Sequence, residues 1–147
     1  MDVELEDSFA SEFKRIEKHL PQVDEIFSSP LKRCLTLAEH LAVMTEVKVD
    51  SRLTEMHFGR WQGHNWDDIP RTEIDTWADN FFDYQGHEGE SVMDLRTRVA
   101  GFLDELDGNQ NQLIVSHAGV IRSAIALRTN SDERQIQVAY GELVRID

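Results

Sequence analysis

Apolar residues three and four positions apart at Phe9, Phe13, Ile16 and Leu20 predict a helix from about Glu6 to Leu20, closed by Pro21. Glu25-Ile26-Phe27 has the length and character of a strand, and Ser28-Ser29-Pro30 then supplies capping hydroxyls with proline near the first helical position. The helix begun there is expected to run to about Met44. Val47 to Val49 reads as a second strand, followed by irregular chain from Leu53 to Trp66 with glycines at Gly59 and Gly63. Asp67 to Tyr84 carries Ile69, Ile74, Trp77, Phe81 and Phe82 in loose helical order, broken by Pro70. From Ser91 the stripe sharpens, with Val92, Leu95, Val99, Phe102, Leu103 and Leu106 on one helical face that ends at Asp107-Gly108. Alternation at Val138, Tyr140, Val144 and Ile146 predicts a terminal strand, with Gly141 as a bulge.

The most telling stretch is Leu113 to Arg122. Leu113, Ile114 and Val115 form a buried-strand run, and Val120, Ile121, Ala124 and Ile125 recur at helical spacing directly afterwards. His117 therefore stands at a strand-to-helix turn, where open α/β sheets bind ligands and where the first N–H groups of a helix attract anions. Phosphate is the first ligand to consider; the ordinary alternative is a histidine that only caps the helix. Strand-like and helix-like segments alternate throughout, so the expected fold is α/β, three layers (α/β/α) with a mostly parallel sheet. Unusually for such a fold, the first residues offer a helix and no apolar run for an opening strand.

A chain of 147 residues, 40% hydrophobic, suits one core, and 1–147 is read as a single domain. The formal net charge of -13 argues against nucleic acid and anionic membrane as partners, so any phosphate site must be a local positive pocket. One cysteine, Cys34, allows no internal disulfide and fits a reducing compartment. No run of about 18 apolar residues occurs, so no membrane span is expected. The acidic start, Met-Asp-Val-Glu-Leu-Glu-Asp, lacks the basic and apolar parts of a signal peptide, and the expected location is cytoplasmic.

Arg33 falls in the first turn after a strand, at the same sheet end as His117, and its planar fork of donors fits phosphate oxygens; the alternative is a solvated surface group. Glu55, beside Met56 and Phe58, is able to give a proton to a leaving alkoxide if burial raises its pKa, or is a plain surface carboxylate. Ser91 is a natural N-cap. Cys34 has no arginine six positions on, and no Gly-x-Ser-x-Gly, Walker-type or His-Glu-x-x-His motif is found. His57 and His64, seven apart among acids, are a weak zinc pattern, and no metal or cofactor is expected.

Four pieces in order, Ser-Ser-Pro-Leu-Lys-Arg (28–33), Leu-Thr-Glu-Met-His-Phe-Gly-Arg-Trp-Gln-Gly (53–63), Gly-Glu-Ser (89–91) and Val-Ser-His-Ala-Gly-Val-Ile-Arg (115–122), together resemble the histidine phosphatase superfamily, the phosphoglycerate mutase-like proteins. The likeness is to the compact branch that includes α-ribazole phosphate phosphatases, since Gly63 to Gly89 is too short for the insertions of a glycolytic mutase. It implies a metal-free reaction in which a histidine attacks phosphorus and water then frees phosphate from a phosphohistidine. Arg33 and Ala118 match phosphate-binding positions, Glu55 the proton donor and later base, His117 the second histidine against the phosphoryl group, and Ser91 a substrate contact.

One part of the pattern is missing. The family's nucleophile lies in an Arg-His-Gly motif closing a central first strand beside the one that ends at His117, and these 147 residues contain no Arg-His pair. Asp2-Val3-Glu4-Leu5 resembles the segment just downstream of that motif, so the expectation is a domain shortened at its N-terminus. Its sheet must then re-pair its strands or form a homodimer through an exposed edge. The implied function is a phosphomonoester hydrolase for a small phosphorylated metabolite, such as α-ribazole phosphate, impaired or inactive without that histidine. The alternatives are a non-catalytic module binding a phosphate ligand and an assembly protein derived from the family.

Overall fold

The structure is a computed structural model that describes residues 9–139 and 141–146, with side chains from residue 13 onward. Helix α1 (Phe9–His19) leads into β1 (Glu25–Ser28), α2 (Lys32–Leu41) and β2 (Val47–Val49). Three short 3-10 turns and α3 (Arg71–Asp79) follow, then α4 (Val92–Asp104), β3 (Gln112–Val115), α5 (Ala118–Thr129) and a last 3-10 turn at Glu133–Gln135. The sheet has the order β2-β1-β3 and is wholly parallel, with Ile26 opposite both Val47 and Leu113.

β1 and β3 are covered on both faces, which is why their centres read as apolar, while β2 at the edge leaves Lys48 and Val49 exposed. Ile26, Leu113 and Val115 turn toward α1 and α2, where Ile16, Cys34, Ala38 and Leu41 meet them. Phe27 and Ile114 turn the other way, onto α4 and α5, against Val99, Phe102, Val120 and Ala124. Phe27 meets Phe102 edge to face at 5.2 Å. Burying a ring such as Phe102 contributes about 2–3 kcal/mol, so this side carries much of the fold. Two helical layers around a parallel sheet are thus as expected, with three strands among the described residues.

Several boundaries differ from the sequence reading. Helix α2 stops at Leu41 rather than near Met44, because Val43 and Met44 are exposed and no core holds another turn. Pro70 precedes α3 as its N-cap, and the residues before it form a 3-10 turn, so the loose helical pattern resolves into a turn and a short helix. The terminal strand is absent: residues 136–139 and 141–146 form no strand, and Tyr140 lies outside the described residues. Gly141, at φ 70°, belongs to a turn in which Glu142 N–H reaches the Ala139 carbonyl, and Arg15 donates to the Gly141 carbonyl at 2.8 Å. Alternation fixes the faces of a strand but not its ladder partner, and no partner adjoins this segment among the described residues.

The Asn111 and Val115 carbonyls face β1, accepting from Glu25 and Ser29 N–H groups. By strand alternation, the backbone groups of Gln112 and Ile114 face the other way. There β3 pairs with no strand among the described residues. No helix among the described residues is long and apolar enough to cross a membrane.

Candidate active site

The site grows from the carboxyl ends of β1 and β3. One residue beyond β1, Ser29 N–H donates to the Val115 carbonyl at 3.0 Å, extending the ladder and burying Ser28 and Ser29 completely. Ser29 Oγ accepts from Leu31 N–H at 3.3 Å in the turn before α2, whose N-cap is Leu31 with no side-chain cap, and it also lies 2.8 Å from His117 Nε2. Arg33, in the first turn of α2, places Nη2 2.9 Å from His117 Nδ1. A guanidinium only donates, so Nδ1 is the acceptor and Nε2 carries the hydrogen that goes to Ser29. Cys34 Sγ packs 3.6 Å from the same Nε2. His117 is 5% exposed and makes no side-chain cap to α5; its ring is fixed by Ser29 and Arg33 instead.

Glu55 arrives from the opposite side. Ser116 Oγ donates to the Leu53 carbonyl at 2.6 Å, tying the loop to the end of β3. Glu55 Oε2 then accepts from Gly119 N–H at 3.2 Å and Oε1 from Met56 N–H at 2.9 Å. A carboxylate at the first turn of α5 sits where the helix dipole favours negative charge. A side chain at position 119 would overlap this carboxylate, so Gly119 is what lets it approach. Arg33, Glu55, His117 and Ala118 together line one cavity of about 370 Å³. Arg33 and the N–H groups opening α5 give it donors for an anion, and Glu55 adds a proton-transfer group.

Ser91 stands apart. It caps α4 in a reciprocal capping box with Asp94 and lines neither this cavity nor the neighbouring one. The turn it ends does support the site, because Gly86–Ser91 packs against His57–Gly63. Arg60 N–H donates to the His87 carbonyl at 2.6 Å, and Glu90 N–H to the His57 carbonyl at 2.8 Å. Arg98 Nε and Nη2 donate to the two oxygens of Glu90 at 2.7 and 3.0 Å, and its Nη1 donates to the Arg52 carbonyl. His87 is fully buried among Phe58, Trp61 and Tyr84, and that burial pushes its imidazole below the ordinary pKa.

Sequence reasoning passed over Ser29, which it treated as a helix cap, and Gly119. The signal for the first was present, since two consecutive serines at a buried strand end facing His117 need partners. Gly119 gave none, because its role depends on a carboxylate 64 positions away.

The chain matches the family model for the histidine phosphatase superfamily (branch 1) over residues 1–147. It is 31% identical to the adenosylcobalamin/α-ribazole phosphatase of Salmonella typhimurium over 74% of its own length and 57% of that protein. It is 27% identical to phosphoserine phosphatase 1 of Hydrogenobacter thermophilus, over 84% of this chain and 63% of the relative. The chain therefore spans about three fifths of the length of these curated relatives. Its fold superposes on a phosphoserine phosphatase mutant from Entamoeba histolytica in complex with phosphoserine, with TM-score 0.83 and 22% identity over 95% of this chain and 75% of that one. A structure of a Thermus thermophilus protein, TTHB049, gives TM-score 0.73 at 25% identity, covering 90% and 74%. With Arg33, Glu55 and His117 gathered at one sheet end, and the family model matched from end to end, the chain belongs to the histidine phosphatase superfamily.

Proposed function

We propose that these residues form the phosphate-holding and proton-donating part of a phosphomonoester hydrolase for a small phosphorylated metabolite, α-ribazole phosphate being one member of that class. Arg33 and the Ala118 N–H take the phosphoryl oxygens, His117 sits against the transferring group, and Glu55 gives its proton to the leaving oxygen as its bond to phosphorus breaks and phosphorus bonds to a nucleophile from outside the described residues, from which water then frees phosphate. The observation that carries this is the chain of hydrogen bonds from Ser29 through His117 to Arg33, ending in a cavity shared with Glu55. Ser91 contributes by holding α4 and the turn beside Glu55.

A second reading, a module that binds a phosphate ligand without turnover, is favoured by one feature. Among the described residues His117 is the one histidine lining the cavity, and both of its ring nitrogens are already engaged. Both readings go with a cytoplasmic location and with a homodimer through the open side of β3. The test is calorimetric titration with inorganic phosphate together with hydrolysis of p-nitrophenyl phosphate. Arg33→Ala is expected to weaken phosphate binding by about tenfold or more, as loss of a charged fork does. Hydrolysis abolished by Glu55→Ala and by His117→Ala supports the enzyme; phosphate binding without hydrolysis supports the module. Binding unchanged in Arg33→Ala would sink both.

A further inference from the structure

A second cavity, of about 560 Å³, lies on the far side of Glu55, and Glu55 and Val138 wall both spaces. If Glu55 protonates the leaving oxygen, phosphorus stands on the Arg33 and His117 side and the departing alcohol on the other. The second cavity is then the place for that alcohol, and its walls describe it.

One wall is aromatic: Phe58, Trp66, Trp77 and Phe81. Trp66 and Trp77 stack at 5.4 Å with 24° between their rings, and Trp66 stays 54% exposed rather than filling the core. Keeping indole surface out of the core is unfavourable unless something covers it. The opposite wall comes from α5. Ser123 Oγ is fully buried with no hydrogen-bond partner among the described residues, although buried hydroxyls are nearly always bonded. Half-buried Arg122 also lines the space, and its guanidinium makes no hydrogen bond or ion pair among the described residues. A space of this size and character suits a flat, two-ring group bearing a heteroatom that Arg122 or Ser123 can reach. The serine side chain of phosphoserine would leave most of it unfilled.

We propose that the site selects phosphomonoesters of planar aromatic alcohols, with Trp66 and Trp77 as the stacking surface. This rests on the phosphate reading for the orientation of the ligand, and its test separates the two. Calorimetry on the full chain would compare 1-naphthyl phosphate, O-phosphoserine, inorganic phosphate and phosphate-free 1-naphthol, in the native protein, Trp66→Ala and Arg33→Ala. Naphthyl phosphate is expected to bind at least about tenfold more tightly than phosphoserine, and Trp66→Ala to bring the two within about threefold. Naphthol binding should weaken in Trp66→Ala and persist in Arg33→Ala. Equal affinity for naphthyl phosphate and phosphoserine in the native protein, or a preference that survives Trp66→Ala, would overturn the proposal. An unchanged phosphate affinity in Arg33→Ala overturns only the phosphate reading. Should Trp66→Ala fail to fold, nuclear Overhauser contacts between naphthyl and Trp66 indole protons in the native protein decide: their presence supports the pocket, and their absence at saturation refutes it.

Discussion

The two flanks of the site are built in opposite ways. On the Glu55 flank, His57–Gly63 and Gly86–Ser91 interlock through short backbone hydrogen bonds, the Glu90–Arg98 fork and a buried imidazole. On the His117 flank, β3 ends in a groove lined by Ile121, Val138 and Leu143, with no neighbouring strand among the described residues. The first flank fixes Glu55 through groups that satisfy one another within the chain. The second leaves the outward backbone donors and acceptors of β3 without a strand partner among the described residues. One half of the site is therefore pre-organised, while the other depends on what covers an edge.

The sharpest way to break the contrast is Gly59→Ala. Gly59 has φ +56°, and a Cβ there would overlap the His87 carbonyl, so strain and clash act together. A loss of about 3 kcal/mol or more is expected, read as a large drop in Tm by calorimetry. Melting like the native protein would mean the interlock carries little. A smaller effect separates the flanks by pH. The folded pKa of His87 lies below its ordinary value of 6.5, so the unfolded chain binds the extra proton first. Stability from this group is complete above that value and declines as pH falls through it toward the folded pKa. His87→Gln, which keeps an acceptor for Gly89 N–H, should flatten the slope of urea-unfolding stability between about pH 5 and 7. An unaltered slope would remove His87 as its source.

The smallest effect on monomer stability is expected from Gln112→Pro. It deletes an N–H that points away from β1, at the first residue of a strand, where proline is tolerated. Sedimentation should show native self-association at high concentration that this variant loses. A native chain that stays monomeric would leave the edge without that role.

The same division decides what was legible in the sequence. Among the described residues periodicity found α1, α2, α4, α5 and the three strands, because Leu95, Val99, Phe102 and Ile26 answer to a core through local spacing, while α3 and the 3-10 turns left only a loose pattern. Arg33 and His117 drew attention because each follows a strand signal, and Glu55 only because four motifs occur in order; the structure places all three around one cavity. The terminal strand was misread, since Val138 and Val144 alternate correctly but a ladder depends on a distant partner. The bond from Glu55 to Gly119 was hidden for the same reason, since it joins residues 64 positions apart, while the paired serines showed only that Ser29 needs a partner and not that His117, 88 positions on, supplies it.

Gly59 and Gly89 meet face to face, each occupying the space a side chain on the other loop's backbone would need. The two positions are therefore coupled in stability. Once either gains a methyl group and the loops part, the second substitution meets a gap already opened, so the double variant should cost less than the sum of the singles. A lineage could cross from one state to the other only through an intermediate less stable than its ancestor, and that valley would keep both positions glycine even if phosphate chemistry were lost.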